Sequence, residues 1–170
     1  MGKRSLLFGC HQIFIHPLFT IIGWVKLYGI GTINIPILLA IFFHDWGYWS
    51  CKTMDGDGLF HPFRTFVLFN GILPPKSLQE IIGHSRHLSS SYGIPISRLC
   101  WADKLGLAVM PSSLWALLAY ISSEGWEYMY NPFNNNYVLG EDETLLGLIK
   151  FHKKIKIAMN NLIRKEAHIV

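Results

Sequence analysis

Cysteine is scarce in this chain of 170 residues, and the three cysteines, Cys10, Cys51 and Cys100, lie far apart. No Cys-x-x-Cys pair is present, and so odd and scattered a set gives no disulfide framework. Buried thiols that stay reduced are typical of a reducing compartment. We therefore expect a cytoplasmic protein with three ordinary free cysteines.

Long hydrophobic runs are also missing, although 51% of the residues are apolar. The longest apolar stretches are Gln12–Tyr28, which contains His16, Pro17 and Lys26, and Ile35–Phe43. Neither stretch matches the roughly 20 uninterrupted apolar residues of a membrane-spanning helix. The basic N-terminus is followed by too short an apolar run for a signal peptide. We expect core helices and no transmembrane segment.

Strand patterns and internal repeats are absent as well. No convincing stretch alternates polar and apolar residues with the period of two that a half-buried strand requires. Proline and glycine divide the chain into segments that predict an all-α, single-domain bundle of about six or seven helices. The predicted helices cover residues 16–28, 35–45, 61–70, 76–92, 97–110, 111–130 and 144–167, with polar loops at 47–59 and 131–140.

The net charge of +4 is local, because much of it lies on the last predicted helix. Such a run is usually a solvated helix face, and it gives no strong signal for nucleic acid. The sequence leaves open whether the chain forms a homodimer. The basic residues of this helix are Lys150, Lys153, Lys154, Lys156, Arg164 and Lys165.

His44 and Asp45 directly follow the apolar run Ile35–Phe43. An unpaired ion in an apolar interior is very costly. A divalent metal would neutralise the carboxylate, and it requires the deprotonated forms of both side chains. The pair therefore predicts the centre of a metal site, and a satisfied structural pair is the alternative.

Further candidate ligands lie on other predicted helices. His16 and His61 each precede a proline at a helix start, His84 lies in a helix, and Asp103 interrupts an otherwise apolar helix. His11 is the alternative to His16. No local spacing links these residues, so they could converge only at the centre of a helical bundle.

The order His, His-Asp, Asp resembles the HD-domain superfamily of metal-dependent phosphohydrolases. The segment His-Asp-Trp-Gly-Tyr at 44–48 is similar to the motif that names the family, and Ala-Asp-Lys-Leu at 102–105 is similar to its last motif. The resemblance covers about residues 15–107, and it implies a single domain on which helices 113–167 pack. The implied metal ligands are His16, His44, Asp45, His61, His84 and Asp103, with Asp45 bridging two metals.

The resemblance implies hydrolysis of a small phosphate ester, with a nucleotide as the first candidate. Asp45 would take part in catalysis, and Arg86 and Lys104 would bind phosphate or, alternatively, be surface charges. Mixed imidazole and carboxylate ligands suit one or two ions of Mn, Fe, Co, Ni or Mg. The chain departs from the two-metal phosphodiesterases at Tyr48, where they often have Lys, and at Ser85, where they often have a second His.

Two other functions fit the same sequence. A second branch of the superfamily uses the same six-ligand set for two irons and oxidises its substrate with oxygen. A non-catalytic helical protein that binds a partner through its basic last helix is the remaining alternative. Two histidines outside the proposed site, His87 and His152, are expected to face solvent.

Overall fold

The computed structural model describes residues 2–53, 56–129 and 144–167, and over these ranges the fold is all-α without strands. The predicted fold class is confirmed, but these ranges hold ten α-helices, more than the six or seven expected. The predicted loop at 131–140 lies outside the described residues. The helices are α1 Gly2–Phe8, α2 Ile15–Tyr28, α3 Ile35–Phe43, α4 His61–Phe69, α5 Pro75–Ile82, α6 Arg86–Tyr92, α7 Arg98–Val109, α8 Ser112–Ser122, α9 Glu124–Met129 and α10 Leu145–Glu166.

Two predicted helices are each divided into two. The predicted helix 76–92 breaks between α5 and α6, where the Ser85 hydroxyl accepts from the Leu88 N–H at 3.3 Å and begins α6. The predicted helix 111–130 breaks at Ser123, which has a left-handed φ of 63°. Part of the predicted loop 47–59 forms the 3₁₀ segments Trp46–Ser50 and Asp57–Phe60.

Helices α2 and α7 lie against each other, and two glycines permit their close approach. A Cβ on Gly23 of α2 would collide with the Ala102 carbonyl oxygen of α7. A Cβ on Gly106 of α7 would lie 2.9 Å from the Phe19 carbonyl of α2. This packing brings the first turn of α2 beside the middle of α7, where two predicted ligands lie.

Two apolar clusters stabilise the bundle. One lies around Trp24, Ile41 and Leu99, and it joins α2, α3 and α7. The other lies around Trp115 and Phe151, and it packs α10 against α8. Helix α10 also packs on α7, and the predicted C-terminal helices therefore contact the part of the chain that carries the site.

The prediction that His152 faces solvent is wrong. Its side chain is fully buried, stacked on Trp115 with ring centroids 4.8 Å apart. Its Nε2 donates to the Leu107 carbonyl at 3.1 Å, and its Nδ1 accepts from the Ser112 hydroxyl at 3.1 Å. Both ring nitrogens are satisfied, so a neutral imidazole can be buried there without a large penalty.

Over the described residues, no single helix is long and apolar enough to cross a membrane. Helices α7 and α8 meet that criterion only when taken together, and they are bent by 99° at their junction.

Candidate metal centre

The predicted ligands converge at one place, and most of them lie where helices begin or end. His16 is in the first turn of α2, and His44 and Asp45 directly follow α3. His61 begins α4, and His84 lies in the break between α5 and α6. Asp103 comes from the middle of α7. The chain thus contributes these side chains from separate segments to a common centre in the bundle.

The first group of ligand atoms joins α2, α3 and α7. The His16 Nε2 lies 3.0 Å from Asp103 Oδ1 and 3.2 Å from His44 Nε2. The Asp45 Oδ2 lies 3.3 Å from His16 Nε2 and 3.4 Å from His44 Nε2. The ligand atoms of His16, His44 and Asp103 all lie within 4.8 Å of one another, which is close enough to surround one metal ion.

The second group consists of the His61 and His84 imidazoles, which lie near the other oxygen of the Asp45 carboxylate. The Asp45 Oδ1 is 3.3 Å from His61 Nε2 and 3.7 Å from His84 Nε2. The two imidazole nitrogens are 2.8 Å apart. Asp45 therefore turns one oxygen to each pair of histidines, which is the placement expected of a carboxylate shared between two cations.

Backbone carbonyls fix the orientation of three imidazoles. The Nδ1 of His44 donates to Ile41 O at 2.7 Å, and that of His61 donates to Gly58 O at 2.7 Å. The Nδ1 of His84 donates to the carbonyl of residue 81 at 2.5 Å. A carbonyl can only accept, so each Nδ1 carries the proton and each Nε2 of the neutral ring presents a lone pair. The same outer contacts orient histidines in metal sites.

The Nε2 lone pairs of the imidazoles make the centre favourable for a cation. With Nδ1 protonated, the neutral rings of His61 and His84 place two acceptor nitrogens 2.8 Å apart. Among the described residues, three buried side-chain atoms have no hydrogen-bond partner: Trp115 Nε1, which lies in the apolar cluster of α8, and two atoms of candidate ligands, His16 Nδ1 and Asp45 Oδ2. Buried polar groups are normally paired, and a cation at the centre would satisfy the Asp45 oxygen. The donor set therefore fits a divalent metal.

The electrostatics favour deprotonated carboxylates. Burial by itself raises the pKa of Asp45, but the charge of His44 and the contacts with the His61 and His84 imidazoles lower it well below the usual range. Burial likewise raises the pKa of Asp103, and its imidazole partners outweigh that effect and lower it. Burial lowers the pKa of His61 to about 4, so this ring is neutral at physiological pH. Asp45, Asp103 and His61 thus have the protonation states that a metal requires. Burial alone lowers the pKa of His44, but Asp45 and Asp103 raise it, so a metal would have to displace a proton from this ring.

The predicted phosphate-binding residues, Lys104 and Arg86, each have a polar partner of their own. Lys104 hydrogen-bonds the buried Cys100 thiol, and burial alone would lower its pKa, but Cys100 and Asp103 raise it. Lys104 therefore remains a cation next to a predicted ligand. Arg86 forms an ion pair with Glu166 of α10 at 3.0 Å, and its guanidinium is 45% exposed.

A second layer of polar side chains lies behind His16, and the sequence analysis missed its main member, Glu124. His11 was the alternative ligand, but its ring contacts His16 with centroids 5.6 Å apart, and its Nδ1 lies 3.4 Å from Glu124. Tyr48 stacks on His61 with centroids 3.8 Å apart. The one sequence signal for Glu124 is a carboxylate that follows a helix without charged residues, Ser112–Ser122.

The chain was compared with protein families, with curated proteins and with solved structures, and none of them matches it.

Proposed function

We propose that this chain is a metal-dependent phosphohydrolase that cleaves a small phosphate ester, with a nucleotide as the first candidate substrate. The observation that carries the proposal is the Asp45 carboxylate, which turns one oxygen to His16 and His44 and the other to His61 and His84. The fold offers four imidazoles and two carboxylates to the same centre.

The proposed ligands form two cation sites that share one carboxylate. His16, His44 and Asp103 would hold one, and His61 and His84 would hold the other, with Asp45 shared between them. Divalent metals at such a site supply Lewis acidity, which polarises a phosphoryl oxygen and lowers the pKa of water. Backbone carbonyls accept from the Nδ1 atoms of His44, His61 and His84, and they keep the Nε2 atoms of these three rings directed at the centre.

Substrate would approach on the side of Asp103, since this carboxylate is the most exposed of the six ligands, with 23% of its side chain accessible. Lys104 on the same helix supplies a cation for a non-bridging phosphoryl oxygen. Arg86 lies close to Lys104, and its planar guanidinium could bind a phosphate with two parallel hydrogen bonds if the phosphate displaced its present partner, Glu166. These cations favour a phosphorylated substrate over a neutral one.

Metal content and phosphate release test the proposal together. Protein reconstituted with Mn or Fe should bind metal, unfold at a higher temperature and release phosphate from nucleotides. We expect His61→Ala and Asp45→Ala to lose metal and turnover, because each removes a ligand. His87→Ala is the matched control, since His87 contacts Phe60 and Tyr92 outside the ligand set.

The outcomes separate the three candidate functions. A protein without metal that gains no thermal stability from Mn or Fe would contradict the proposed site and support a non-catalytic role. An iron content near two per chain, with oxygen uptake and no phosphate release, would support the oxygenase instead. Full metal content and full activity in Asp45→Ala would refute the ligand assignment.

A further inference from the structure

A cavity of about 690 Å³ is lined in part by the segment that follows Asp45. It is open to solvent, and its walls come from α1, the loop after α1, the 3₁₀ segment Trp46–Ser50 and α4. Its volume is within the range of roughly 300–1,000 Å³ that is typical of small-molecule sites. The apolar side chains that line it are Leu7, Ile13, Trp46, Trp49 and Leu68.

The charged side chain that lines the cavity, Arg64, already has an anionic partner. Its Nη2 lies 3.8 Å from Asp57 Oδ2, and its Nη1 lies 3.1 Å from the Cys51 sulfur. The nearby carboxylate offsets the guanidinium charge, so the cavity does not favour a phosphate or another compact anion. Its walls instead favour an apolar ligand.

Apolar side chains at the mouth of the cavity are exposed to water. Leu7 is 40% exposed, Trp49 is 44% exposed and Leu68 is 55% exposed. On α4 the apolar surface continues over Phe63, which is 51% exposed, and Val67, which is 59% exposed. A ligand that covers these side chains gains free energy by removing their surface from water.

The size of the cavity indicates a small molecule. A stable protein interface usually takes about 20–30 residues on each side. Seven residues line the cavity, which is concave and open to solvent. A second copy of the chain would need a much larger contact than this.

We propose that the cavity binds the hydrocarbon chain of an amphiphile, with the polar end of the ligand at the solvent-exposed mouth. The site is independent of the proposed hydrolase activity. It is physically joined to the metal centre, because the Gly47 N–H donates to Thr65 Oγ1 at 2.7 Å and this hydroxyl lies 3.0 Å from the His44 carbonyl oxygen. The ligand would therefore contact the segment that carries Asp45.

Titration with 1-hexanol, 1-octanol and 1-decanol tests the proposal on the full chain, with tryptophan fluorescence and calorimetry as readouts. Each added methylene should raise the affinity about fourfold, which corresponds to about 0.8 kcal/mol per buried CH₂. Binding of 1-decanol that is absent up to its solubility limit, or an affinity that does not change with chain length, would overturn the proposal.

Two charge substitutions locate the binding site. Leu68→Glu and Leu7→Glu each place a carboxylate at the mouth, and we expect each to weaken 1-decanol binding at least about tenfold. Ile157→Glu on α10 is the matched control, because Ile157 is 65% exposed and does not line the cavity. It should bind 1-decanol like the unmodified chain.

Circular dichroism shows which variants fold, and two mouth positions keep the test valid if one variant does not. Equal binding by both mouth variants and the control would overturn the proposal. Sedimentation tests the other occupant of this surface, a second copy of the chain. A dimer that dissociates in Leu68→Glu, together with no 1-decanol binding by the unmodified chain, would also overturn it.

Discussion

At the scale of single residues, the centre depends on how closely the backbone of the Asp45 segment approaches α4. Gly47 lies two residues after Asp45, and its N–H donates to the Thr65 hydroxyl at 2.7 Å. A Cβ at Gly47 would collide with the His61 carbonyl oxygen and lie 2.7 Å from the carbonyl carbon. Both atoms are backbone, so a rotamer change cannot relieve the collision. Glycine is therefore required at this position for Asp45 to reach His61.

We predict that Gly47→Ala lowers the free energy of unfolding by about 1–3 kcal/mol, the usual effect of overpacking a close contact. It should also weaken Mn binding, because the displaced backbone moves Asp45 away from His61. Chemical denaturation and a metal titration measure the two effects.

Gly31→Ala is the matched control, because a Cβ there has no heavy atom within 4 Å. This exposed change should stay within about 0.5 kcal/mol of the unmodified chain. Equal stability and equal metal binding in the two variants would show that the close approach of Gly47 to α4 has no energetic importance.

At the scale of elements, Glu124 joins α9 to the N-terminal region. Its carboxylate accepts hydrogen bonds from the Ser5 hydroxyl, from the Cys10 N–H at 2.6 Å and from the Ser122 hydroxyl at 2.9 Å, and it lies 3.4 Å from the His11 ring. Burial raises the pKa of Glu124, but these partners outweigh it and lower the pKa to about 2. The buried charge is thus compensated by these partners, and it fixes the loop after α1 beside the candidate metal ligands.

We predict that Glu124→Gln destabilises the protein by about 2–4 kcal/mol, because the buried donors lose a charged acceptor. Glu166→Gln is the control: its pair with Arg86 is partly exposed, and such pairs contribute at most about 1 kcal/mol. Denaturant unfolding of both variants gives the comparison. Similar effects of the two substitutions would contradict the anchoring role of Glu124.

The sequence predicted those elements whose ends carry a local signal. Pro36 lies near the start of α3, whose first turn is capped by Asn34, and Gly93 ends α6 with a φ of 67°. The break at Ser123 has no such signal, since serine takes a left-handed conformation there only in its tertiary context. Helix α1 was also missed, because seven residues are too few for a periodic pattern.

At the scale of the whole molecule, the sequence predicted which residue types meet but not the packing that joins them. The six candidate ligands are those that the resemblance to the HD-domain motifs implies, and the structure brings these side chains together. The second layer could not be predicted, because Glu124 and Ser5 are 119 residues apart and no spacing rule links them. The burial of His152 was mispredicted for the same reason, since lysines flank it in sequence while α7 and α8 cover it in space.

His152 couples the packing of α10 to pH. Burial, together with the charge of the nearby Lys156, lowers its pKa from 6.5 to about 4. A histidine with a lowered pKa binds fewer protons when folded than when unfolded, so the protein loses stability as pH falls from about 6.5 towards 4. The loss from this residue between pH 7 and pH 4 should be about 3 kcal/mol.

His152→Phe keeps an aromatic ring against Trp115 and removes the titrating group. We predict that this variant is less stable than the unmodified chain at pH 7, because the Leu107 carbonyl and the Ser112 hydroxyl lose their partner. On acidification, the stability of His152→Phe should fall less than that of the unmodified chain. Protonation of the candidate metal ligands at low pH affects both proteins equally. Parallel curves from pH 7 to pH 4 in metal-free buffer would mean that protonation of other groups accounts for the acid sensitivity, and that α10 does not depend on a neutral His152.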